Sequence, residues 1–208
     1  MTFVRMLFIT LLPLFAHCAH AMQPTLLIMG DSLSAGYGIK LDEGWVNLLQ
    51  QELTKKTPAK IVNASVSGET SSGGLTRLPA LLNQHKPDIV IIELGGNDGL
   101  RGQPVKILQE NLQTMINLSQ KSGARVLLVG MQIPTNYGSR YTTQFKESYT
   151  TLAEKNKIAL VPFLLEGVAT HSELVQNDGI HPTAAAQPII VKNVLPVLLP
   201  MIQQAAVK

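Results

Sequence analysis

Cysteine is almost missing from this chain: the 208 residues hold one, Cys18, inside an N-terminal stretch that reads as a cleavable leader. Without it the mature chain has no disulfide framework, no thiolate metal site and no cysteine nucleophile. Charge is sparse too, at 15% of residues, and 17 Lys+Arg against 14 Asp+Glu are spread without dense basic runs. A net charge of +3 distributed in this way offers no stripe to track phosphates, so no nucleic-acid partner is expected. No internal repeat, low-complexity tract or linker breaks the sequence. The hydrophobic share of 45% then suits one domain with a sizeable core.

The leader is legible in its parts. Arg5 provides a positive start, residues 6–16 an apolar run too short to span a bilayer, and Ala19-His20-Ala21 a small-x-small cleavage site. Residues 1–21 are therefore assigned to a signal peptide and 22–208 to a single domain, periplasmic or secreted. Export to an oxidising compartment agrees with the lack of thiols. His17 disfavours lipid attachment at Cys18, so no stable membrane anchor is expected, and the mature chain is expected to be a monomer.

Five short apolar runs bounded by turn residues read as strands, at 25–29, 60–64, 88–94, 125–131 and 158–161. Between them lie helical patterns: Trp45, Leu48, Leu49 and Leu53; Leu75, Leu78, Leu81 and Leu82; residues 104–122; and Phe145, Tyr149 and Leu152. Pro79 predicts a short or bent second helix, and Pro188, Pro196 and Pro200 predict a kinked or broken C-terminal one. Strands alternating with helices predict a three-layer α/β/α domain, its parallel sheet built by right-handed crossovers. The run at 88–94, apolar almost throughout, is expected at the centre.

Several strands end in polar clusters, and in a parallel sheet those ends share one edge, where ligands bind. Gly30-Asp31-Ser32-Leu33-Ser34 follows the first strand, Ser65-Val66-Ser67-Gly68-Glu69-Thr70-Ser71-Ser72-Gly73-Gly74 the second, and Gly95-Gly96-Asn97-Asp98-Gly99 the third. Taken alone, the first is ordinary turn and N-cap chemistry. The second reads as a flexible loop, and it lacks the Gly-Lys-Ser/Thr end of a phosphate-binding loop. What gives the clusters meaning is Asp178-Gly179-Ile180-His181-Pro182 near the C-terminus. Serine acyl transfer needs a base, a carboxylate to orient it, and donors where charge develops on the carbonyl oxygen. His85 and His171 stand in solvated turns, whereas His181 has Asp178 three residues earlier across a glycine. Asp178, His181 and His171 lack a regular metal-ligand spacing, so neither metal nor cofactor is expected.

These segments, in this order, resemble the four blocks of the SGNH, or GDSL, hydrolases, and similarity to that family extends to residues 78–82 and to Asn136-Tyr137-Gly138. The resemblance implies a flavodoxin-like sheet ordered 2-1-3-4-5. It implies Ser32 as nucleophile, His181 as general base, Asp178 as its orienting acid, and an oxyanion hole of Ser32, Gly68 and Asn97. A mobile substrate loop maps onto Gly99, Leu100, Arg101, Gly102 and Gln103, with Tyr137 also at the substrate. The function implied is an exported esterase or thioesterase acting on small fatty-acyl esters and thioesters, with lysophospholipase, acyl-CoA thioesterase or arylesterase activity. A carbohydrate acetylesterase and a non-catalytic exported acyl- or sugar-binding module remain open alternatives. An α/β-hydrolase elbow is disfavoured because Ser34 stands where that motif has glycine.

Overall fold

The computed structural model describes residues 23–206, and the leader, its cleavage point and Cys18 lie outside them. Five parallel strands, β1 (Thr25–Gly30), β2 (Lys60–Asn63), β3 (Ile89–Glu93), β4 (Arg125–Val129) and β5 (Ala159–Val161), pair in the order β2-β1-β3-β4-β5. The two most apolar segments, β1 and β3, pair with each other and each has a second neighbour. Strands covered on both faces are expected to be apolar without alternation, which Leu26, Leu27, Ile28, Ile89, Val90 and Ile91, all fully buried, satisfy. Each such side chain contributes about 1.5–3 kcal/mol on leaving water.

Helices flank the sheet. A short α1 (Ser32–Ala35) follows β1; α2 (Trp45–Lys56) packs with α7 (Gln187–Ala205), while α3 (Ser71–His85), α5 (Val105–Lys121) and α6 (Ser139–Asn156) pack side by side. A five-residue α4 (Gly96–Leu100) leaves the mouth of β3. Trp45 N–H donates to Gln187 Oε1 at 2.9 Å, joining α2 to α7 across 142 residues of sequence.

The extent of the glycine-rich loop and the breaking of helices at proline both differ from expectation, for physical reasons. The glycine-rich stretch is not all loop, since α3 starts at Ser71, inside it. Thr70 caps the helix by accepting from Gly73 N–H at 3.2 Å, and buried Asp98 accepts from Ser71 N–H at 2.8 Å. Satisfied first-turn donors outweigh the low helix propensity of Gly73 and Gly74. Gly74 is moreover buried so closely on Leu94 that a Cβ there would collide.

Nor do the prolines break their helices. Pro79 lies inside a 15-residue α3, and Pro196 and Pro200 inside a 19-residue α7. All three face solvent, while Ile190, Val194, Leu198 and Ile202 hold the opposite side of α7 in the core. Packing of that stripe offsets the hydrogen bond that each proline omits. Long and apolar enough to cross a bilayer, α7 is here a core helix, buried along this stripe. Pro196→Ala is expected to raise stability by about 1–3 kcal/mol, because it restores a donor to the carbonyl one turn earlier. Thermal unfolding checks this, and an unchanged or lower Tm counts against it.

Candidate active site

Ser32 opens α1 directly after β1. Asp31 caps that helix, its Oδ1 accepting from Leu33 N–H at 3.0 Å, and Gly36 ends it with φ at 75°. One turn of helix thus turns the chain sharply at the strand mouth and leaves the Ser32 side chain half-buried. His181 approaches from a loop 149 residues away, with its Nε2 at 2.8 Å from Ser32 Oγ.

The loop that carries His181 is closed by an antiparallel bridge between Val175 and Pro182, and Gln176 N–H donates to His181 O at 2.7 Å. Within it, Asp178 Oδ1 accepts from Ile180 N–H at 2.9 Å and His181 N–H at 3.0 Å. Gly179 makes this turn feasible, since its φ of 73° is rare for side-chain-bearing residues. The other Asp178 oxygen lies 2.6 Å from His181 Nδ1. The His181 backbone N–H is the main influence holding the Asp178 carboxyl down at about 2, with the His181 ring and Ile180 N–H adding to it against slight burial. Asp178 is therefore an anion throughout the range in which histidine titrates. Tyr37 lays its ring against His181, with centroids 4.5 Å apart.

Gly68 and Asn97 reach the same edge. Gly68 has φ of 79° and lies exposed in the turn after β2, with Arg101 Nη2 donating to its carbonyl at 3.1 Å. Asn97, on α4, donates through Nδ2 to Asp31 Oδ2 at 3.2 Å and to Glu69 O at 3.0 Å. One carboxamide thus ties together the neighbour of Ser32 and the neighbour of Gly68. Asp98, buried beside it, accepts from Ser71 Oγ at 2.5 Å and pins α4 to α3.

The expected substrate loop is held by more contacts than its glycines suggest. Gly99 and Leu100 belong to α4, and Gly99 is buried so closely that a Cβ would come within 2.6 Å of Ile133 and 2.8 Å of Phe145. It is a packing glycine, and Leu100, Arg101 and Tyr137 form the accessible part. Tyr137 O–H donates to Leu100 O at 2.8 Å and Tyr141 O–H to Gln103 O at 2.6 Å, so two tyrosines fasten the segment. The two histidines set aside from the sequence stay apart from this constellation: His85 ends α3 and His171 pairs with Glu173 at 3.3 Å.

Three buried acids, Asp31, Glu93 and Asp98, were not singled out by the sequence motifs. Glu93 left one signal, a lone carboxylate in an otherwise apolar central strand. Burial pushes the Asp31 carboxyl up to about 6, and it pushes that of Glu93 well above the usual range, with Asp31 adding to the effect.

The chain is similar to known proteins along most of its described length. The model of the GDSL-like Lipase/Acylhydrolase family matches residues 28–188. Esterase TesA of Pseudomonas aeruginosa is 51% identical over 183 residues, covering 88% of this chain and 91% of that protein. Thioesterase 1/protease 1/lysophospholipase L1 of Escherichia coli K12 is 43% identical over 182 residues, or 88% and 86% of the two chains. Among solved structures, the psychrotrophic esterase EstA from Pseudoalteromonas sp., inhibited by monoethylphosphonate, superposes with a TM-score of 0.83 at 44% identity, covering 87% of this chain and all of the other. With its five-stranded parallel sheet and Ser32 at the mouth of β1, this chain belongs to the GDSL-like lipase/acylhydrolase family.

Proposed function

We propose that the chain is an exported serine hydrolase of fatty-acyl esters and thioesters that works through an acyl-enzyme on Ser32. One observation carries the reading: Ser32 Oγ, His181 and Asp178 form an unbroken chain of contacts at 2.8 and 2.6 Å. Asp178, as an anion, keeps the proton of His181 on Nδ1, which leaves Nε2 free to accept. Ser32 Oγ attacks the acyl carbon as its proton passes to Nε2, and the C–O or C–S bond to the leaving group breaks as the proton is returned to that group. Water then attacks the acyl-enzyme, with His181 again taking a proton, and the acyl–Oγ bond breaks as that proton returns to Ser32, which releases the acid. The negative oxygen formed in both steps is received by Ser32 N–H, Gly68 N–H and Asn97 Nδ2, the last surrendering its hydrogen bond to Glu69 O.

Apolar residues around this edge favour a fatty chain over an acetyl group. Of the large hydrophobic side chains exposed among the described residues, Tyr37 lies against His181, Ile180 directly precedes it, and Tyr137 donates to Leu100 O. Leu100 and Arg101 stand with Tyr137 as the substrate-binding group. The printed activities of the relatives, esterase for one and thioesterase and lysophospholipase for another, support both ester and thioester bonds. The leader supports a periplasmic or secreted address, which makes lysophospholipids and other fatty-acyl esters the natural substrates to test first.

The test is a series of p-nitrophenyl esters with acyl chains from two to sixteen carbons, run beside a lysophospholipid and an acetylated sugar. The expected result is turnover that increases from acetyl to medium or long chains, with fatty acid released from the lysophospholipid. Preference for acetyl groups on sugar would assign the site to carbohydrate deacetylation instead. Saturable binding without turnover would make it a binding module.

A further inference from the structure

Directly beneath the nucleophile turn lies a carboxyl that the mechanism does not use. Glu93 ends β3, and its register partner across the sheet is Gly30. The side chain is fully buried and fills the space a Cβ on residue 30 would need, with Oε2 only 2.5 Å from that position. Oε2 accepts from Ser34 Oγ at 2.5 Å and from Asp31 N–H at 3.3 Å, while Oε1 is buried with no partner. Asp31, 2% exposed, has its Oδ2 on Asn97.

We propose that Glu93 is a positioning residue for Asn97: it fixes Asp31 from below, and the Asp31 carboxylate aims the Asn97 amide at the oxygen of the scissile carbonyl. The proposal rests on the reading of Asn97 as an oxyanion donor. A carboxamide with one hydrogen held by Asp31 has its plane set, so the other hydrogen points in one direction only. In the resting site it points at Glu69 O, next to Gly68.

Charge supports the arrangement. Glu93 faces Asp31 from the β1 turn and Tyr149 from α6; Asp31 faces Glu93, Asp98 of α4, Tyr149 and His181. No lysine or arginine is among these groups, and two adjacent buried carboxyls without a cation retain a proton. Glu93, the more deeply buried, holds it. The neutral acid is then a spacer and acceptor, whereas Asp31 is the anion that must accept from Asn97. Because burial raises the Asp31 carboxyl to about 6, its anionic form, the stronger acceptor, is lost as pH falls through that value. An acid-side fall in kcat/KM that depends on the carboxyl at position 31 is therefore expected near that pH.

A mutant cycle between Glu93 and Asn97 tests the proposal, with kcat and KM measured on one acyl ester. Asn97→Ala alone is expected to lower kcat by about 10²–10³-fold. Glu93→Leu, which fills the space but accepts nothing, is expected to lower kcat by about 10-fold with KM little changed, and to add nothing in the Asn97→Ala background. Glu93→Gln, isosteric with the neutral acid, is expected to restore activity to near that of the parent. Asp31→Asn is expected to remove the part of the acid-side fall in kcat/KM that lies near pH 6. Losses that multiply in the double variant, or a Gln variant as impaired as the Leu one, overturn the proposal. If Glu93→Leu does not fold, Asp31→Asn takes its place in the same cycle under the same criterion. Activity retained in Ser32→Ala would instead strike at the underlying reading and leave a different signature.

Discussion

Ser32→Ala is expected to lower kcat on an activated acyl ester by on the order of 10⁶-fold, the scale on which serine hydrolases fail without their nucleophile. The size follows from the mechanism. Without Oγ no acyl-enzyme forms, and what survives is direct attack by water on a carbonyl held by the oxyanion donors. His181→Ala is expected to cost about as much, since an unassisted serine hydroxyl is a weak nucleophile at neutral pH. The two losses should not multiply, because base and nucleophile act on one proton transfer and removing either stops it. Initial rates for the two single variants and the double variant check both points. Turnover in Ser32→Ala within about 10-fold of the parent would mean that the hydroxyl is not the attacking group.

Asp178→Asn is expected to lower kcat by about 10⁴-fold while leaving the fold intact. The argument is one of tautomers. Asp178 Oδ1 is fixed by two backbone N–H groups, of Ile180 and His181. An asparagine must place its carbonyl oxygen there and therefore present its NH₂ to His181 Nδ1. That nitrogen becomes an acceptor, so the ring proton moves to Nε2, which then donates towards Ser32 Oγ and has no lone pair for the hydroxyl proton. Both loop hydrogen bonds survive, and Tm is expected to stay close to that of the parent. Rates measured beside thermal unfolding separate the chemical effect from any structural one. A variant within about 10-fold of the parent would show that the ring needs no anion on that side.

Much of this arrangement was legible before any coordinates, and the reason is physical. Strands buried on both faces must be apolar, so β1 and β3 stand out, and the order β2-β1-β3-β4-β5 agrees with the family resemblance. Asp178 and His181 were readable because a three-residue spacing across glycine is local geometry. What stayed hidden depends on contacts between distant segments. The start of α3 at Ser71 is set by Asp98 on another element, and no pattern within residues 65–74 contains that information. The continuity of α7 through Pro196 and Pro200 is decided by the core beneath it. Glu93 is a lone carboxylate in an apolar strand, and its place beside Gly30 is a matter of strand register, which no periodicity in either strand encodes.

Stability and function pull in opposite directions at that point. Keeping Asp31 and Glu93 buried together without a cation is unfavourable, yet Glu93 accepts from Asp31 N–H and Ser34 Oγ on either side of Ser32, and Asp31 accepts from the Asn97 amide. The folded state holds a proton on Asp31 that the unfolded chain has already lost between about pH 4 and 6. This group's contribution to stability therefore falls as pH rises through that window and is constant above it.

The most direct test of the central claim is covalent: incubate the purified protein with a fluorophosphonate probe, then map the adduct by mass spectrometry. An activated Ser32 gives one adduct per chain, on the peptide that contains Ser32, and none in Ser32→Ala. Labelling that persists in Ser32→Ala, or a folded parent protein that takes up no probe, would contradict the assignment of Ser32 as a nucleophile activated by His181.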